Sequence, residues 1–165
     1  MTAQDNYCRR LDIGQIDEKL RDRIIDSLSS LEQTKYTDAQ RGGNVWVYED
    51  TGDIKTFTEH LMSMHTDIKR AVEQDGLEPL RNRKQPKVIV TDQIKQDRQF
   101  IDPNQIVILS PMTHDTVSLW VSREKDCADA KTFDTTKADT WVIIGGTRFH
   151  LPVPYHTMPL PVQKI

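Results

Sequence analysis

The sequence predicts an α+β domain in which two amphipathic helices of the N-terminal half pack on a mainly antiparallel C-terminal sheet or small barrel. Apolar residues recur at steps of three and four in two segments before residue 75, which is the period of one helix face. From residue 87 onward the pattern changes to short apolar runs separated by Pro and Gly, as in strands. With 165 residues, 36% of them hydrophobic, the chain is long enough for one core. We therefore expect residues 1–165 to form a single domain.

The first helix is predicted to run from Ile16 to Leu31 and the second from about Thr56 to Gln74, with Gly76 as a stop signal. The apolar face of the first consists of Ile16, Leu20, Ile24, Ile25, Leu28 and Leu31. That of the second consists of Phe57, Leu61, Met64 or His65, Ile68 and Val72. Between the two helices, the β-branched and aromatic segment "NVWVYED" favours a strand.

The C-terminal half is predicted to be built from strands. Short apolar runs occupy residues 88–90, 105–109, 116–121 and 140–144. Asp-Pro, Ser-Pro and Gly-Gly pairs separate these runs, so they favour an antiparallel arrangement over parallel βαβ units.

Two terminal segments are marked off within this domain, residues 1–12 as an N-terminal segment and residues 152–165 as an extended proline-rich C-terminal arm. The arm contains four prolines, each of which removes a backbone donor, so we do not expect it to be a central strand. Its apolar side chains predict docking in a groove of a neighbouring protein. The predicted partner-binding residues are Tyr155, Met158, Leu160 and Val162.

The charge balance argues against nucleic acid as a partner, because 22 Lys and Arg face 25 Asp and Glu, a net charge of -3. A weak basic patch is expected to be solvated, and consists of Arg81, Arg83, Lys84 and Lys87. No apolar run reaches the roughly 18 residues of a membrane span, and the first residues lack the apolar core of a signal peptide. These features predict no membrane partner and a cytoplasmic location, or the host cytosol or virion if the protein is viral.

One set of residues suggests a metal site. His114 and Asp115, in "SPMTHDTVSLW", and His150, in "GGTRFHLP", supply the two histidines and one carboxylate of a non-haem iron site. A strand-borne His and Asp followed about 35 residues later by a second His resembles the arrangement in cupins and 2-oxoglutarate oxygenases, over the last third of the chain. The resemblance implies a β-barrel that holds Fe(II) or another divalent metal, with Arg148 orienting an acidic cosubstrate. Because His114 and Asp115 are adjacent, both face the barrel interior only if a bulge intervenes.

The sequence offers little else for catalysis. It contains no Gly-x-Ser-x-Gly elbow and no phosphate-binding loop, and Cys8 and Cys127 lack a metal-ligand spacing. We therefore expect a non-enzymatic structural or assembly subunit without a cofactor, forming a homo-oligomer or larger assembly, with a virus or phage particle as one setting. The alternative is a small metal-dependent oxygenase of the cupin or 2-oxoglutarate type.

Overall fold

The computed structural model describes residues 8–11, 18–38, 43–80, 87–91 and 99–165. These residues contain three α-helices, α1 (Glu18–Ser27), α2 (Gly52–Ser63) and α3 (His65–Glu73), and a 3₁₀-helix at Leu28–Ser30 that follows α1. None of the three is long and apolar enough to cross a membrane. The predicted mixed α+β class is confirmed, with three helices where the sequence predicted two.

The third helix arises because the predicted second helix is divided at Met64. The backbone of Met64, at φ -91° and ψ 23°, leaves the helical region, and the N–H of Met64 donates to Leu61 O at 3.1 Å. The apolar face nevertheless continues across the break, since Leu61 and Ile68 are buried in the same core. At the other end of α2, the hydroxyl of Thr51 accepts the N–H of Ile54 at 3.2 Å, which is an N-cap.

The described residues also form twelve strands. They are β1 (Cys8–Arg10), β2 (Gln33–Asp38), β3 (Gly43–Tyr48), β4 (Leu77–Pro79), β5 (Lys87–Thr91), β6 (Gln99–Phe100), β7 (Gln105–Pro111), β8 (Val117–Ser122), β9 (Lys131–Thr135), β10 (Trp141–Ile144), β11 (Arg148–His150) and β12 (Tyr155–Lys164).

The strands form two sheets in which every described pairing is antiparallel. The large sheet has the order β1-β10-β7-β12-β5-β3-β2, with β4 also paired to β12, and the small sheet has the order β6-β11-β8-β9. From β5 to β12 the chain divides its strands equally, with β5, β7, β10 and β12 in the large sheet and the other four in the small sheet. This is the strand order of a jelly roll, an architecture of two facing sheets. The sequence had left open whether the strands form an open sheet or a small barrel.

Two cores lie on opposite faces of the large sheet. In β7, Ile106 and Ile108 point towards the helices, whereas Val107 and Leu109 point towards the small sheet. The helix-side core contains Ile106 and Ile108 together with Leu20, Ile24, Ile54, Phe57, Leu61, Ile68, Val72, Val142, Ile144, Met158, Leu160 and Val162, among others. The inter-sheet core contains Val107 and Leu109 together with Ile101, Leu119, Val121, Trp141, Ile143, Phe149, Leu151 and Tyr155. Burial on both faces explains why residues 106–109 are continuously apolar and do not alternate with polar residues.

The last strand corrects the prediction that the proline-rich tail is not a central strand. β12 pairs with β7 along one side, from Tyr155 to Pro161, and with β5 and then β4 along the other side. The N–H of Val162 points to the β7 side, where it donates to Asn104 O at 2.9 Å. Because N–H groups alternate between the two sides of a strand, Pro159 and Pro161 lack their donors on the opposite side, between the stretches that pair with β5 and β4. The prolines therefore interrupt no bond to β7.

The Gly145–Gly146 turn carries the chain from the large sheet into the small one. A Cβ atom on Gly145 would lie 2.5 Å from the carbonyl oxygens of Asp102 and Gln105, so only glycine fits there. Gly146 has a φ of +82°, in the region that other residues rarely adopt. This turn fixes where the small sheet begins to cover the large one.

Candidate functional site

The four predicted partner-binding residues are core residues of their own chain. Tyr155 is completely buried in the inter-sheet core. Met158, Leu160 and Val162 are at most 8% exposed, in the helix-side core. They hold β12 in the fold and present no surface to a neighbour. The predicted docking arm is therefore corrected to a central strand whose apolar side chains stabilise the monomer.

Two of the predicted metal ligands, His114 and Asp115, lie on the turn between β7 and β8. His114 Nε2 lies 2.7 Å from Asp26 Oδ1 on α1, and its Nδ1 lies 3.2 Å from Lys137 Nζ. Lys137 also donates to Asp22 Oδ1 at 2.5 Å, and this hydrogen bond lowers the pKa of that carboxyl. Asp115 is exposed. The local arrangement ties the turn to α1 through polar contacts at the surface.

The third predicted ligand, His150, lies on the outer side of the small sheet. Phe149 points into the inter-sheet core, so its neighbours Arg148 and His150 point away from it. The guanidinium of Arg148 lies over the ring of Phe100, 5.1 Å from its centroid. Among the described residues, no three His, Cys, Asp or Glu side chains are placed to hold a metal ion. His114, Asp115 and His150 therefore do not fit an iron centre, and Arg148 does not face a barrel interior as a cosubstrate ligand would.

The predicted basic patch cannot be placed in the same way. Arg81, Arg83 and Lys84 lie outside the described residues, as does the side chain of Lys87, the first residue of β5.

A buried polar group that the sequence analysis did not single out lies between the helices and the large sheet. His156 is completely buried, with Nε2 2.9 Å from Thr58 Oγ1 on α2 and its ring edge-on to Phe57 at 4.9 Å. Burial, and secondarily the charge of Arg21, lowers the pKa of His156 to about 3, so the imidazole is neutral. The alternation of β12 was the available signal, because residue 156 shares a face with Met158 and Leu160.

Arg21, on α1, is the charged member of this buried group and is 3% exposed. It donates to the carbonyls of Lys137 and Asp139 and, at 2.9 Å, to Thr140 Oγ1. Burial lowers its pKa to about 10, against the opposing effect of Asp139. Arg21 thus fastens α1 to the turn before β10, and the group as a whole joins helices to strands.

The outer face of the small sheet is the most distinctive surface of the described residues. Leu119, Val121 and Phe149 fill the inter-sheet core, and the alternate residues of the same strands point outward. The register places Arg148 beside Phe100, His150 beside Trp120, and Asp134 beside Ser118. We define the outer face as Phe100, Ser118, Trp120, Thr132, Asp134, Arg148 and His150, all of them partly or fully exposed.

The fold and this surface define the chain as an α+β jelly roll with one sheet covered by helices and one open sheet face. No protein family model, curated protein or solved structure matches the chain. A function for this chain is therefore inferred from its own geometry.

Proposed function

We propose that this chain is a non-enzymatic assembly subunit that associates with a second copy of itself through the outer face of the small sheet. The observation that carries this proposal is that aromatic and oppositely charged side chains lie in register on a sheet face whose strands contribute nothing to the helix-side core. The proposal keeps the protein-interaction role and moves the contact from the C-terminal arm to this face.

The residue types on the outer face are those that protein interfaces favour. Tryptophan, phenylalanine and arginine are enriched at the centre of interfaces, where they contribute most of the binding energy. Trp120 lies near the middle of the face, because β8 is flanked by β11 and β9. Arg148 packs on Phe100 and is thereby already held in place, so little side-chain freedom is lost when a partner binds.

The charges on the outer face favour a second copy as the partner. Arg148 lies near one corner and Asp134 near the opposite corner, on either side of Trp120. In a two-fold contact the same patch meets itself, so residue i of one copy touches residue j of the other and the reverse. A two-fold packing centred on Trp120 brings Arg148 of each copy opposite Asp134 of the other. Both charges then find a partner of opposite sign.

The same proposal includes the setting of the assembly, which would be the cytoplasm, the host cytosol, or a virus or phage particle. Support comes from the cysteines. Cys8 is buried, Cys127 is partly buried, and they are not joined to each other. Small domains of oxidising compartments are usually held together by disulfides.

A charge exchange tests the proposed contact. Arg148→Asp and Asp134→Arg should each weaken self-association by about tenfold or more, because each places like charges opposite one another. The double variant Arg148→Asp/Asp134→Arg should restore it. The native mass at a series of protein concentrations, from light scattering during gel filtration, measures the effect. Lys55→Asp and Glu59→Arg on the exposed side of α2 are the matched controls and should leave association unchanged.

Two results would contradict the proposal. A wild-type chain that remains monomeric at every concentration would remove self-association, and a double variant as weak as the single ones would remove the Arg148–Asp134 pairing. Elemental analysis of the same sample addresses the non-enzymatic part. Near-stoichiometric iron or manganese in protein purified without chelator would favour the metal-dependent alternative.

A further inference from the structure

A cavity of about 100 Å³ lies between the two sheets, on the inner side of the small sheet and beside β6. Its apolar walls include Ile101, Val107 and Phe149, which belong to the inter-sheet core. Gln105, at the start of β7, contributes a polar side chain. None of the described residues that line the cavity is charged. The cavity therefore favours a neutral and largely apolar occupant.

Tyr155 adds a polar group to this apolar lining. The residue lines the cavity and is completely buried, with its ring edge-on to Phe149 at 5.8 Å. Its hydroxyl has no hydrogen-bond partner among the described residues. Burial raises the pKa of this hydroxyl far above its usual value, so it stays a neutral group that can both donate and accept.

A buried hydroxyl without a partner is uncommon, because nearly all buried polar groups in proteins are hydrogen-bonded. Leaving one unsatisfied costs stability, so its retention here calls for a partner. A molecule seated in the cavity lies against Tyr155 and can supply one. An enclosed apolar cavity of about 150 Å³ in another protein holds benzene. This cavity, of about 100 Å³, is smaller but half open to solvent, so a molecule of that size would extend partly out of it.

We infer that the cavity binds a neutral molecule of about the size of benzene that carries one hydroxyl or carbonyl group, and that this group hydrogen-bonds the hydroxyl of Tyr155. Phe100 of the outer face also lines the cavity, but Trp120, Arg148 and Asp134 do not, so this binding and the proposed contact depend on different residues. The cavity thus gives the chain a second, small-molecule site inside the jelly roll.

Fluorine NMR with two probes of matched shape tests the inference. 4-Fluorophenol carries the hydroxyl and fluorobenzene lacks it. The wild-type chain should bind 4-fluorophenol saturably, in about the millimolar range or tighter. Tyr155→Phe keeps the ring and removes only the hydroxyl, and it should weaken 4-fluorophenol about three- to tenfold while leaving fluorobenzene unchanged. Tyr48→Phe removes a hydroxyl near the helix-side core and should change neither.

A second variant locates the site. Gln105→Trp fills the cavity from a half-buried position and should abolish binding of both probes. Its urea unfolding curve shows whether the variant is folded, and Val107→Phe takes its place if it is not. Absence of saturable binding to the wild-type chain, or binding that survives the filled cavity, would overturn the site. Equal loss of both probes in Tyr155→Phe would overturn the role of the hydroxyl.

Discussion

The outer faces of the two sheets have the same strand alternation but different compositions. On the large sheet, the outward residues Ile106, Ile108 and Val142 are completely buried beneath the helices. On the small sheet, the outward residues Trp120 and Arg148 are only partly buried. The difference shows that the polarity of the outward-facing residues of a strand depends on whether another layer covers that face of the sheet.

The comparison also bears on the proposed self-association. The helix-side core is largely apolar around a few buried polar groups such as Arg21, Thr58 and His156, as expected of a face that is covered by another layer. The outer face of the small sheet mixes aromatic, cationic and anionic side chains, a combination that is of little use for packing a monomer and well suited to a reversible contact.

Removal of β12, which contributes to both cores, should have the largest effect. A chain ending at Val153 loses the strand between β7 and β5 together with Tyr155, Met158 and Leu160. We expect it to show no cooperative unfolding transition in urea, because the loss exceeds the total stability of a typical domain. A truncated chain that unfolds cooperatively with an unchanged urea slope would show that the last strand is peripheral.

Single truncations should separate the two faces. Leu61→Ala, in the helix-side core, should lower the free energy of unfolding by about 2 to 5 kcal/mol, because Leu61 is completely buried. Trp120→Ala, on the outer face, should cost about 1 to 2 kcal/mol, since Trp120 is only partly buried in the monomer. Urea unfolding at one protein concentration measures both. Equal losses would mean that the outer face is part of the monomer's core.

The sequence predicted the class of fold because its strongest signals are local. Leu20 and Phe57 of the two predicted stripes lie in helices, and the apolar residues 106–109 and 141–144 lie in β7 and β10. The break at Met64 does not change the spacing of the apolar residues, because α2 and α3 bury their apolar faces in the same core. The two-residue strand β6 is too short to produce any pattern.

The central position of β12 and the candidate site could not be predicted, because both depend on register. Whether a missing donor at Pro159 matters is decided by which side of the strand it faces, and that follows from pairing with β7, about 50 residues away. Alternation did indicate that His150 and Phe149 lie on opposite faces. Which of those faces is interior depends on the second sheet. The metal-site hypothesis took the face of His150 as interior, whereas in the structure it is the outer face.

Acid should weaken attachment of the helices to the large sheet. The pKa of buried His156 is about 3 in the folded chain and near 6.5 in the unfolded chain. Below pH 6.5 the unfolded state therefore binds a proton that the folded state does not bind. The stability gained from burying neutral His156 is therefore fully present above pH 6.5, and it declines as the pH falls towards 3. Between about pH 7 and pH 5 the free energy of unfolding should fall by about 2 kcal/mol from this residue.

Urea unfolding over this pH range should show the decline in the wild-type chain, and His156→Gln should remove that part of it while keeping a polar group near Thr58. His60→Gln, on the exposed side of α2, is the matched control and should retain the wild-type profile. An unaltered pH profile in His156→Gln would assign the acid loss to other groups.

The smallest expected effect concerns the inside of the jelly roll. Tyr155→Phe removes a buried hydroxyl that has no partner among the described residues, so without ligand it should leave the free energy of unfolding unchanged or raise it by up to about 1 kcal/mol. Tyr48→Phe is the control, since its hydroxyl belongs to a half-buried residue. Thermal unfolding with and without 4-fluorophenol provides a second measurement, because the probe should stabilise the wild-type chain more than Tyr155→Phe. A Tyr155→Phe chain that is clearly less stable without ligand would mean that the hydroxyl already has a partner within the fold, and it would remove the reason for expecting one from outside.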